Sequence, residues 1–224
     1  MSELIVGLAA AKPGPPGFRA PIPGDESDQR ARCPWGASTL DYAIYHDNEW
    51  GRASNQERTL FEKLCLEGFQ SGLSWLTILR KRQAFRTGFA NFDAQQVAAF
   101  GPGDVDRLLA DAGIIRHRGK IDAAIGNARA LVRMWDEGSS LTELIWSHEP
   151  VRRRAVHGLG DVPAQTAESA ALSKALKARG FRFVGPTTVY AAMQAMGVVN
   201  DHLVGCWVRD ECETSRQGLE HRRS

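Results

Sequence analysis

The chain has 224 residues, of which 43% are hydrophobic and 24% are charged, a balance typical of folded globular proteins. This composition excludes a collagenous or wholly disordered chain, and no apolar run reaches the roughly 18 residues that a membrane helix needs. Lys and Arg number 28 against 26 Asp and Glu, so the formal net charge of +2 gives little support by itself for a nucleic-acid partner. Such a partner has to be inferred from where the basic residues lie.

The two ends of the chain have compositions that favour disorder. Residues 1–31 are rich in Pro and Gly and include the polar run 25–30, so we expect a flexible arm there. The charged segment 211–224 is expected to be a disordered tail with Cys212 as a free thiol, which leaves 32–210 as one folded domain. The apolar stretch 4–11 follows an acidic Glu3, and four cysteines are too few for a disulfide scaffold, so we expect a cytoplasmic protein.

Between these ends, apolar residues recur at helical spacing. The pattern predicts helices over 60–68, 75–89, 105–112, 120–135, 141–147, 169–179 and 187–196. Ser74 and Ser169 are expected to cap two of them, because a hydroxyl at this position accepts a hydrogen bond from a free helix N–H. No segment shows a convincing period of two, so the sequence predicts an all-α fold.

Two cysteines and two histidines lie in pairs near the ends of the predicted domain. Twelve residues separate Cys33 from His46, and His202 and Cys206 are four apart. Two thiolates and two imidazoles form a tetrahedral set that Zn²⁺ favours, and four protein ligands leave no position for a catalytic water. The spacing therefore indicates a structural zinc that joins the two ends. Chance spacing is the alternative, because a buried cysteine is often only a small apolar side chain.

The segment 171–197 is typical of two helices joined by a short turn. Gly180 is expected to end the first helix, and 185–187 (Gly-Pro-Thr) to open the second, where free N–H groups favour an anion. Phe181 and Phe183 alternate with Arg182 and are expected to anchor the turn while Arg182 points outward. Such a hairpin resembles the helix-hairpin-helix element of DNA repair proteins, although any helical hairpin uses Gly at its turn.

Three groups of basic residues accompany this hairpin. They are Lys174, Lys177, Arg179 and Arg182 around the turn, Arg116, His117, Arg118 and Lys120 at a second helix start, and Arg152-Arg153-Arg154. The first two groups suit phosphate contacts, and a solvated helix face is the alternative for each. We expect the third group to be a loop.

Five aromatic residues with polar ring atoms are concentrated in the N-terminal third: Trp35, Tyr42, Tyr45, Trp50 and Trp75. Such rings suit a pocket that stacks a flat polar ligand, such as a nucleobase extruded from a duplex, although each ring alone is more often part of a core. Glu67 follows the apolar helix face 60–66, so it is a candidate to point inward. A lone glutamate on a helix is usually exposed, which is the alternative.

Seven motifs follow one another along the chain: CPW (33–35), YHDNEWG (45–51), CLEG (65–68), QSGLSW (70–75), DAGIIRHRGKI (111–121), RGFRFVG (179–185) and VNDHLVGC (199–206). Together they resemble the DNA-3-methyladenine glycosylase I family over nearly all of 33–207. The resemblance implies an all-α helix-hairpin-helix DNA glycosylase that flips cationic 3-methyladenine out of alkylated double-stranded DNA. It implies hydrolytic removal of the base in base-excision repair, an abasic product and no lyase activity. We expect a monomer by default, and the lack of a long apolar run predicts no membrane partner.

The resemblance also implies roles for individual residues. It implies one structural zinc per chain, held by Cys33, His46, His202 and Cys206. It implies a base pocket built on Glu67 as the catalytic residue, chiefly through recognition and electrostatics, with Tyr45 and Trp75 nearest to the base and Trp35, Tyr42 and Trp50 around it. The loop at Gly72-Leu73 resembles the one that fills the gap left by the flipped nucleotide. The DNA backbone would be bound at Gly180, Arg182 and Gly185.

One position departs from the pattern of the wider superfamily. Helix-hairpin-helix glycosylases generally carry a catalytic Asp in a segment similar to 199–202, and Asn200 stands in that place here. Asp201 is adjacent and is expected to point elsewhere. The alternative function is a non-catalytic, zinc-stabilised module that binds damaged DNA. A zinc hydrolase fits less well, because protein fills all four ligand positions and the chain has no His-Glu-x-x-His element.

Overall fold

The computed structural model describes residues 27–151 and 155–220, and the regular elements within these ranges are helical. They are α1 (Leu40–Asn48), α2 (Glu57–Gln70), α3 (Trp75–Gly88), α4 (Ala94–Ala98), α5 (Pro102–Ala110), α6 (Arg118–Asp136), α7 (Leu141–Trp146), α8 (Ala167–Ala178), α9 (Pro186–Ala195) and α10 (Arg209–Glu220), with three short 3₁₀ turns. The described residues form no strand, only an isolated bridge between Val156 and Leu203. The predicted all-α fold is confirmed. Within the same ranges, no helix is long and apolar enough to span a membrane.

Helix α2 lies at the centre of the fold. It packs against α3, α6, α7 and α9. Phe69 near its end contacts Phe85 and Phe89 of the α3 segment at ring-centroid distances of 4.6 and 5.7 Å. A helix enclosed in this way also places some of its polar side chains inside the protein. Lys63 and Glu67 are both buried for this reason.

Helices α8 and α9 form the predicted hairpin. At the end of α8, Gly180 (φ 92°) donates its N–H to Lys177 O at 3.0 Å, and Phe181 donates to Leu176 O at 3.0 Å. These two bonds form a Schellman motif, which requires a left-handed residue at Gly180. Helix α9 begins with Pro186 at its first position, as predicted.

One of the two predicted caps is correct. Ser74 caps α3, and its hydroxyl accepts a hydrogen bond from Thr77 N at 3.3 Å. The prediction for Ser169 is wrong, because Thr166 is the N-cap of α8 and Ser169 lies three residues further on. The two side chains accept hydrogen bonds from each other's main-chain N–H groups in a capping box.

The expected disordered tail is wrong for residues 211–220, which belong to α10. This helix buries Cys212, Arg216 and Leu219, which are four and three residues apart and share one face. One of the three is an arginine, so the composition of the segment conceals the buried face. Cys212 is a free thiol as expected, but it lies inside the protein.

The folded part also begins earlier than residue 32. Ala31 is buried, and the fully buried Arg32 forms ion pairs with Asp28 at 2.6 Å and with Asp47 at 2.7 Å. The predicted flexible arm is therefore wrong for residues 28–31. Its remainder over 1–26 and the predicted basic loop 152–154 lie outside the described residues.

Candidate functional site

The four cysteine and histidine residues singled out in the sequence lie together and are buried. One donor atom from each of Cys33, His46, His202 and Cys206 lies within 4.8 Å of the others. Cys206 Sγ is 3.4 Å from His46 Nε2 and 3.5 Å from His202 Nδ1, and Cys33 Sγ is 3.7 Å from His202 Nδ1. Ligands in a tetrahedron with bonds of about 2.0–2.3 Å are separated by roughly these distances. The cluster could hold a metal ion.

The second nitrogen of each imidazole faces a group that can only accept a hydrogen bond. His46 Nδ1 lies 2.9 Å from Asp47 Oδ1, and His202 Nε2 lies 3.0 Å from Trp50 O. Each of these nitrogens therefore carries the proton, which leaves the lone pairs of His46 Nε2 and His202 Nδ1 directed into the cluster. Arg32 holds Asp47 in turn, with Nε donating to Oδ1 at 2.9 Å. The donor set fits a metal cation.

Two glycines allow the chain to pass close to these imidazoles. A Cβ at Gly36 would lie 2.5 Å from His46 Cδ2, and a Cβ at Gly51 would lie 2.7 Å from His202 Nε2. Gly51 also has a φ of 79°, which disfavours other residues. Any larger residue at either position would displace a histidine of the cluster.

A cavity of about 470 Å³ opens beside the cluster. It is lined by all six residues that the sequence analysis placed in a base pocket: Trp35, Tyr42, Tyr45, Trp50, Glu67 and Trp75. Cys33 lines it too, so the cavity is adjacent to the four cysteine and histidine residues, called the metal cluster below. The volume lies within the range of about 300–1,000 Å³ that small-molecule pockets occupy.

The aromatic rings of the cavity pack against one another with large interplanar angles. Trp35 packs edge-on against Tyr42 and Trp50, with ring centroids 5.5 and 5.0 Å apart. Tyr45 and Trp75 are 5.5 Å apart with a tilt of 43°. Because each ring is held by its neighbours, the cavity is formed before any ligand enters.

Two ring donors of the cavity are available to a ligand. Tyr42 Oη accepts a hydrogen bond from Leu76 N at 3.0 Å, which leaves its own proton for another acceptor. Trp75 Nε1 is buried and has no hydrogen-bond partner within the described part of the chain. A buried donor of this kind is costly unless a ligand satisfies it.

Glu67 supplies a buried carboxylate to this cavity. The residue is 6% exposed, and no described group hydrogen-bonds to its side chain. Burial raises its pKa to about 8, against the opposing charge of Lys63 one turn earlier on α2. Lys63 itself donates to Ala195 O at 2.7 Å and lies 3.4 Å from Glu49 Oε1. A cation in the cavity would favour the ionised form of Glu67.

Burial and the nearby Glu67 carboxylate raise the pKa of Tyr45 well above its usual value. The phenol therefore keeps its proton over the physiological range and remains a hydrogen-bond donor. Tyr45 and Glu67 thus give the inner end of the cavity one donor and one carboxylate.

Three polar residues that the sequence analysis did not assign to the pocket also line the cavity, namely Gln70, Gln194 and Asp201. Gln70 follows Glu67 by three residues on α2, and this helical spacing could have indicated it. Gln194 lies on α9 and carried no signal in the sequence.

The expectation that Asp201 points elsewhere is wrong. Asp201 lines this cavity and a second one, and its Oδ2 accepts hydrogen bonds from Tyr190 Oη at 2.6 Å and Gln194 Nε2 at 2.8 Å. Asn200 is directed away, with Nδ2 donating to Arg209 O at 3.0 Å. The position that departs from the superfamily pattern therefore anchors the start of α10.

The loop 71–74 presents an apolar side chain at the surface. Leu73 is 41% exposed, and Gly72 before it has a φ of 82°. Lys120, expected to contact phosphate, is instead buried beneath this loop. Its Nζ donates to Phe69 O at 2.8 Å and to Ser71 O at 2.6 Å.

The hairpin turn 179–185 differs in one respect from the expectation. Arg182 is exposed and Phe181 is buried, as expected. Phe183 is 37% exposed and therefore is not the second anchor, because Val184 is buried in its place. Gly180 shapes the turn, and its N–H is used within the Schellman motif.

Comparison with known proteins agrees with the geometry. The family model for methyladenine glycosylase matches residues 35–210. The chain is 52% identical over 178 residues to DNA-3-methyladenine glycosylase 1 of Escherichia coli (strain K12), covering 78% of this chain and 95% of that protein. It is 46% identical over 187 residues to the DNA-3-methyladenine glycosylase of Haemophilus influenzae, covering 82% of this chain and 98% of that protein. A solved structure of a 3-methyladenine DNA glycosylase I variant in complex with 3-methyladenine is 32% identical, with a TM-score of 0.75. The match covers 80% of this chain and 97% of that chain. The chain belongs to the methyladenine glycosylase family.

Proposed function

We propose that this protein removes 3-methyladenine from alkylated DNA by hydrolysing the glycosidic bond, which leaves an abasic site. One observation carries the proposal: a buried carboxylate without described hydrogen-bond partners lies in a cavity walled by Trp and Tyr rings. The activity named for the relatives and the 3-methyladenine bound in a solved relative support it.

The charge of the substrate explains how this cavity can promote cleavage without a general acid. An adenine methylated at N3 in DNA is cationic, so its glycosidic bond is weakened and the base leaves as a neutral molecule without a general acid. An aromatic face attracts a delocalised cation by about 0.5–2 kcal/mol. The ionised Glu67 complements the charge and accepts hydrogen bonds from the exocyclic amine. Unmodified adenine is neutral, so it gains neither the attraction of a cation to the rings nor the charge complementarity, although its amine can still donate to Glu67.

Water completes the reaction. When the bond between C1′ and the base breaks, its electron pair goes to the base and the sugar gains oxocarbenium character. Water adds to C1′ and loses a proton, which yields the abasic sugar. Tyr45 and Trp75 lie nearest to the base in this proposal, and Trp35, Tyr42 and Trp50 form the outer wall. They hold the base out of the stack while the bond breaks.

We propose Zn²⁺ for the metal cluster, because two thiolates and two imidazoles are donors that this ion prefers. It would be held by Cys33, His46, His202 and Cys206. A complete set of protein ligands makes the ion a cross-link between the two ends of the domain and supplies no activated water. All four cysteines are free thiols, which suits the reducing cytoplasm where we propose that the protein acts.

We propose that a single copy of the chain binds duplex DNA through the loop 71–74 and the hairpin turn. The exposed Leu73 would fill the gap left by the flipped nucleotide, and Gly72 allows the loop to turn toward the duplex. Gly180 shapes the hairpin turn, and Arg182 would contact phosphate. The start of α9 at Gly185 presents free main-chain N–H groups, which suit a second phosphate.

The release of free 3-methyladenine from methylated duplex DNA tests the proposed function. The variant Glu67→Gln keeps the size of the side chain and removes its charge. The matched control Glu62→Gln makes the same change on α2 at a residue that pairs with Arg86 at 2.7 Å. We expect release to fall about 100-fold in Glu67→Gln and to change less than about twofold in Glu62→Gln.

Metal content is measured on all three proteins, so that a direct loss of activity can be distinguished from one caused by loss of the metal. Equal release by Glu67→Gln and wild type would contradict the role of Glu67. A metal-loaded wild type that binds lesion-containing DNA but releases no base would contradict the proposed activity and identify a damage-binding module.

A further inference from the structure

Helix α6 contacts both of the segments that we propose to bind DNA. One segment is the loop 71–74, which carries Leu73, and the other is the hairpin turn 179–185, which carries Arg182. Two side chains of α6, Lys120 and Asn127, form hydrogen bonds to these segments.

Lys120 ties α6 to the start of the loop 71–74. Its Nζ donates to Phe69 O at 2.8 Å and to Ser71 O at 2.6 Å, at the end of α2 and directly before Gly72. The carbonyl groups in the last turn of a helix have no partner within that helix, and a buried ammonium needs acceptors. The amine and these carbonyls therefore fix one another, and the direction in which the loop leaves α2 depends on Lys120.

Asn127 ties α6 to the hairpin turn. Arg182 N donates to Asn127 Oδ1 at 2.8 Å, and Asn127 Nδ2 donates to Arg182 O at 3.1 Å. Both main-chain groups of Arg182 are thus held by one buried side chain. Phe183, the next residue, has a φ of 56°, which costs free energy for a residue other than glycine. The turn keeps this conformation with the support of Asn127.

We infer that Lys120 and Asn127 are positioning residues for DNA binding, which hold the loop 71–74 and the hairpin turn at one fixed separation. The two residues are seven apart on α6, two helical turns, so they share one face of a rigid element. A duplex can meet Leu73 at the base gap and Arg182 at the backbone together only if that separation is kept. This inference rests on the proposed function, because it takes both segments to be DNA contacts.

The test measures binding and needs no catalysis. The probes are a duplex with a stable abasic-site analogue and free 3-methyladenine, and the variants are Lys120→Met and Asn127→Ala. A matched control is Lys81→Met, because Lys81 Nζ also donates to two main-chain carbonyls, Ala112 O at 2.8 Å and Gly113 O at 3.3 Å, outside both segments.

We expect the Kd for the duplex to rise about tenfold in Lys120→Met and in Asn127→Ala, which corresponds to the loss of a buried hydrogen-bonding group. The Kd for free 3-methyladenine should stay unchanged, because neither Lys120 nor Asn127 lines the cavity. Lys81→Met should change neither constant. Lys120→Arg keeps the positive charge and the donors, so it should restore part of the affinity for the duplex.

Unchanged affinity for the duplex in Lys120→Met and Asn127→Ala would overturn the inference. A parallel loss of affinity for the duplex and for the free base would also overturn it, because that result means a general loss of packing. If the wild type binds the abasic duplex but releases no base from methylated DNA, the proposed excision fails, while the comparison of the variants on the abasic duplex still decides the inference.

Discussion

At the scale of single residues, the ionisation of Glu67 decides how the cavity treats a cation. Burial raises its pKa to about 8, and Lys63 on the same helix opposes the shift. The other titratable residues that line the cavity are Cys33, Tyr42, Tyr45 and Asp201. Burial raises the pKa of both tyrosines, so they stay protonated. At neutral pH the carboxyl group of the free protein therefore carries a proton. A cationic base favours the ionised form, so binding is linked to the loss of this proton.

This linkage predicts the direction of the pH dependence. We expect kcat/KM on DNA that contains 3-methyladenine to rise with pH and to level off near the Glu67 pKa of about 8, because only the ionised free protein complements the cation. A profile from about pH 6 to about pH 9.5 measures it, with Glu67→Gln as the control whose profile is flat in this interval. A wild-type kcat/KM that falls between neutral pH and the Glu67 pKa would contradict the assignment.

At the scale of elements, α10 is held to the protein by an arginine. The Arg216 side chain is 4% exposed, and its guanidinium lies 3.0 Å from Glu213 and 3.6 Å from Glu149. Its Nη1 also donates to Val198 O at 3.1 Å. These contacts join α10 to the segments before α8 and after α9.

Arg216→Ala should lower the free energy of unfolding by about 2–4 kcal/mol, because it removes a buried guanidinium that contacts two carboxylates and a main-chain carbonyl. Arg58→Ala is the matched control, since Arg58 is 61% exposed and pairs with Asp93 at 3.1 Å. That change should cost at most about 1 kcal/mol. Urea denaturation of the three proteins measures both effects. An equal decrease in the free energy of unfolding in the two variants would contradict the proposed role of Arg216 in attaching α10 to the core.

The helices that the sequence predicted are those with an apolar face long enough to show a period. The sequence pattern did not predict helices α1, α4 and α10, for different reasons. α4 has five residues, too few to show a period. α1 buries His46 and Asp47 through the metal cluster and ion pairs, and α10 buries Arg216. Hydrophobic periodicity detects none of these polar contacts.

The candidate site was predictable wherever residue type alone limits the chemistry. Cys33 and its three partners and the aromatic residues around Glu67 are of this kind. The direction of a charged side chain is set by tertiary contacts that no local pattern records. Lys120 therefore suggested a phosphate contact but lies beneath a loop, and Asp201 faces the cavity although its neighbour Asn200 does not.

At the scale of the whole molecule, the metal cluster joins segments from both ends of the domain. A second, smaller apolar cluster surrounds it, formed by Cys33, Val156, Leu203, Cys206, Val208 and Cys212. These residues come from the start of the described chain, from the bridge at Val156 and from the start of α10. The proposed metal ion is therefore expected to stabilise the attachment of these segments to the main core.

Gly51→Ala tests this cross-link. Its Cβ would lie 2.7 Å from His202 Nε2, whereas a Cβ at Gly138, which also has a positive φ of 71°, would meet no described atom within 4 Å. Both substitutions share a backbone cost of about 1 kcal/mol. We expect only Gly51→Ala to lower the metal content per chain and to reduce the shift in Tm that a chelator causes. Equal metal content in the two variants would contradict the proposed cross-link.

The proposed excision is tested most directly by a single-turnover assay with metal-loaded wild type in excess over DNA. Two duplexes are compared that carry either 3-methyladenine or adenine at the same position. We predict that free 3-methyladenine is released and that adenine release does not exceed the uncatalysed rate. A protein that binds the lesion duplex but releases no base, or that releases adenine at a comparable rate, would contradict the proposal that the Glu67 cavity excises a cationic base.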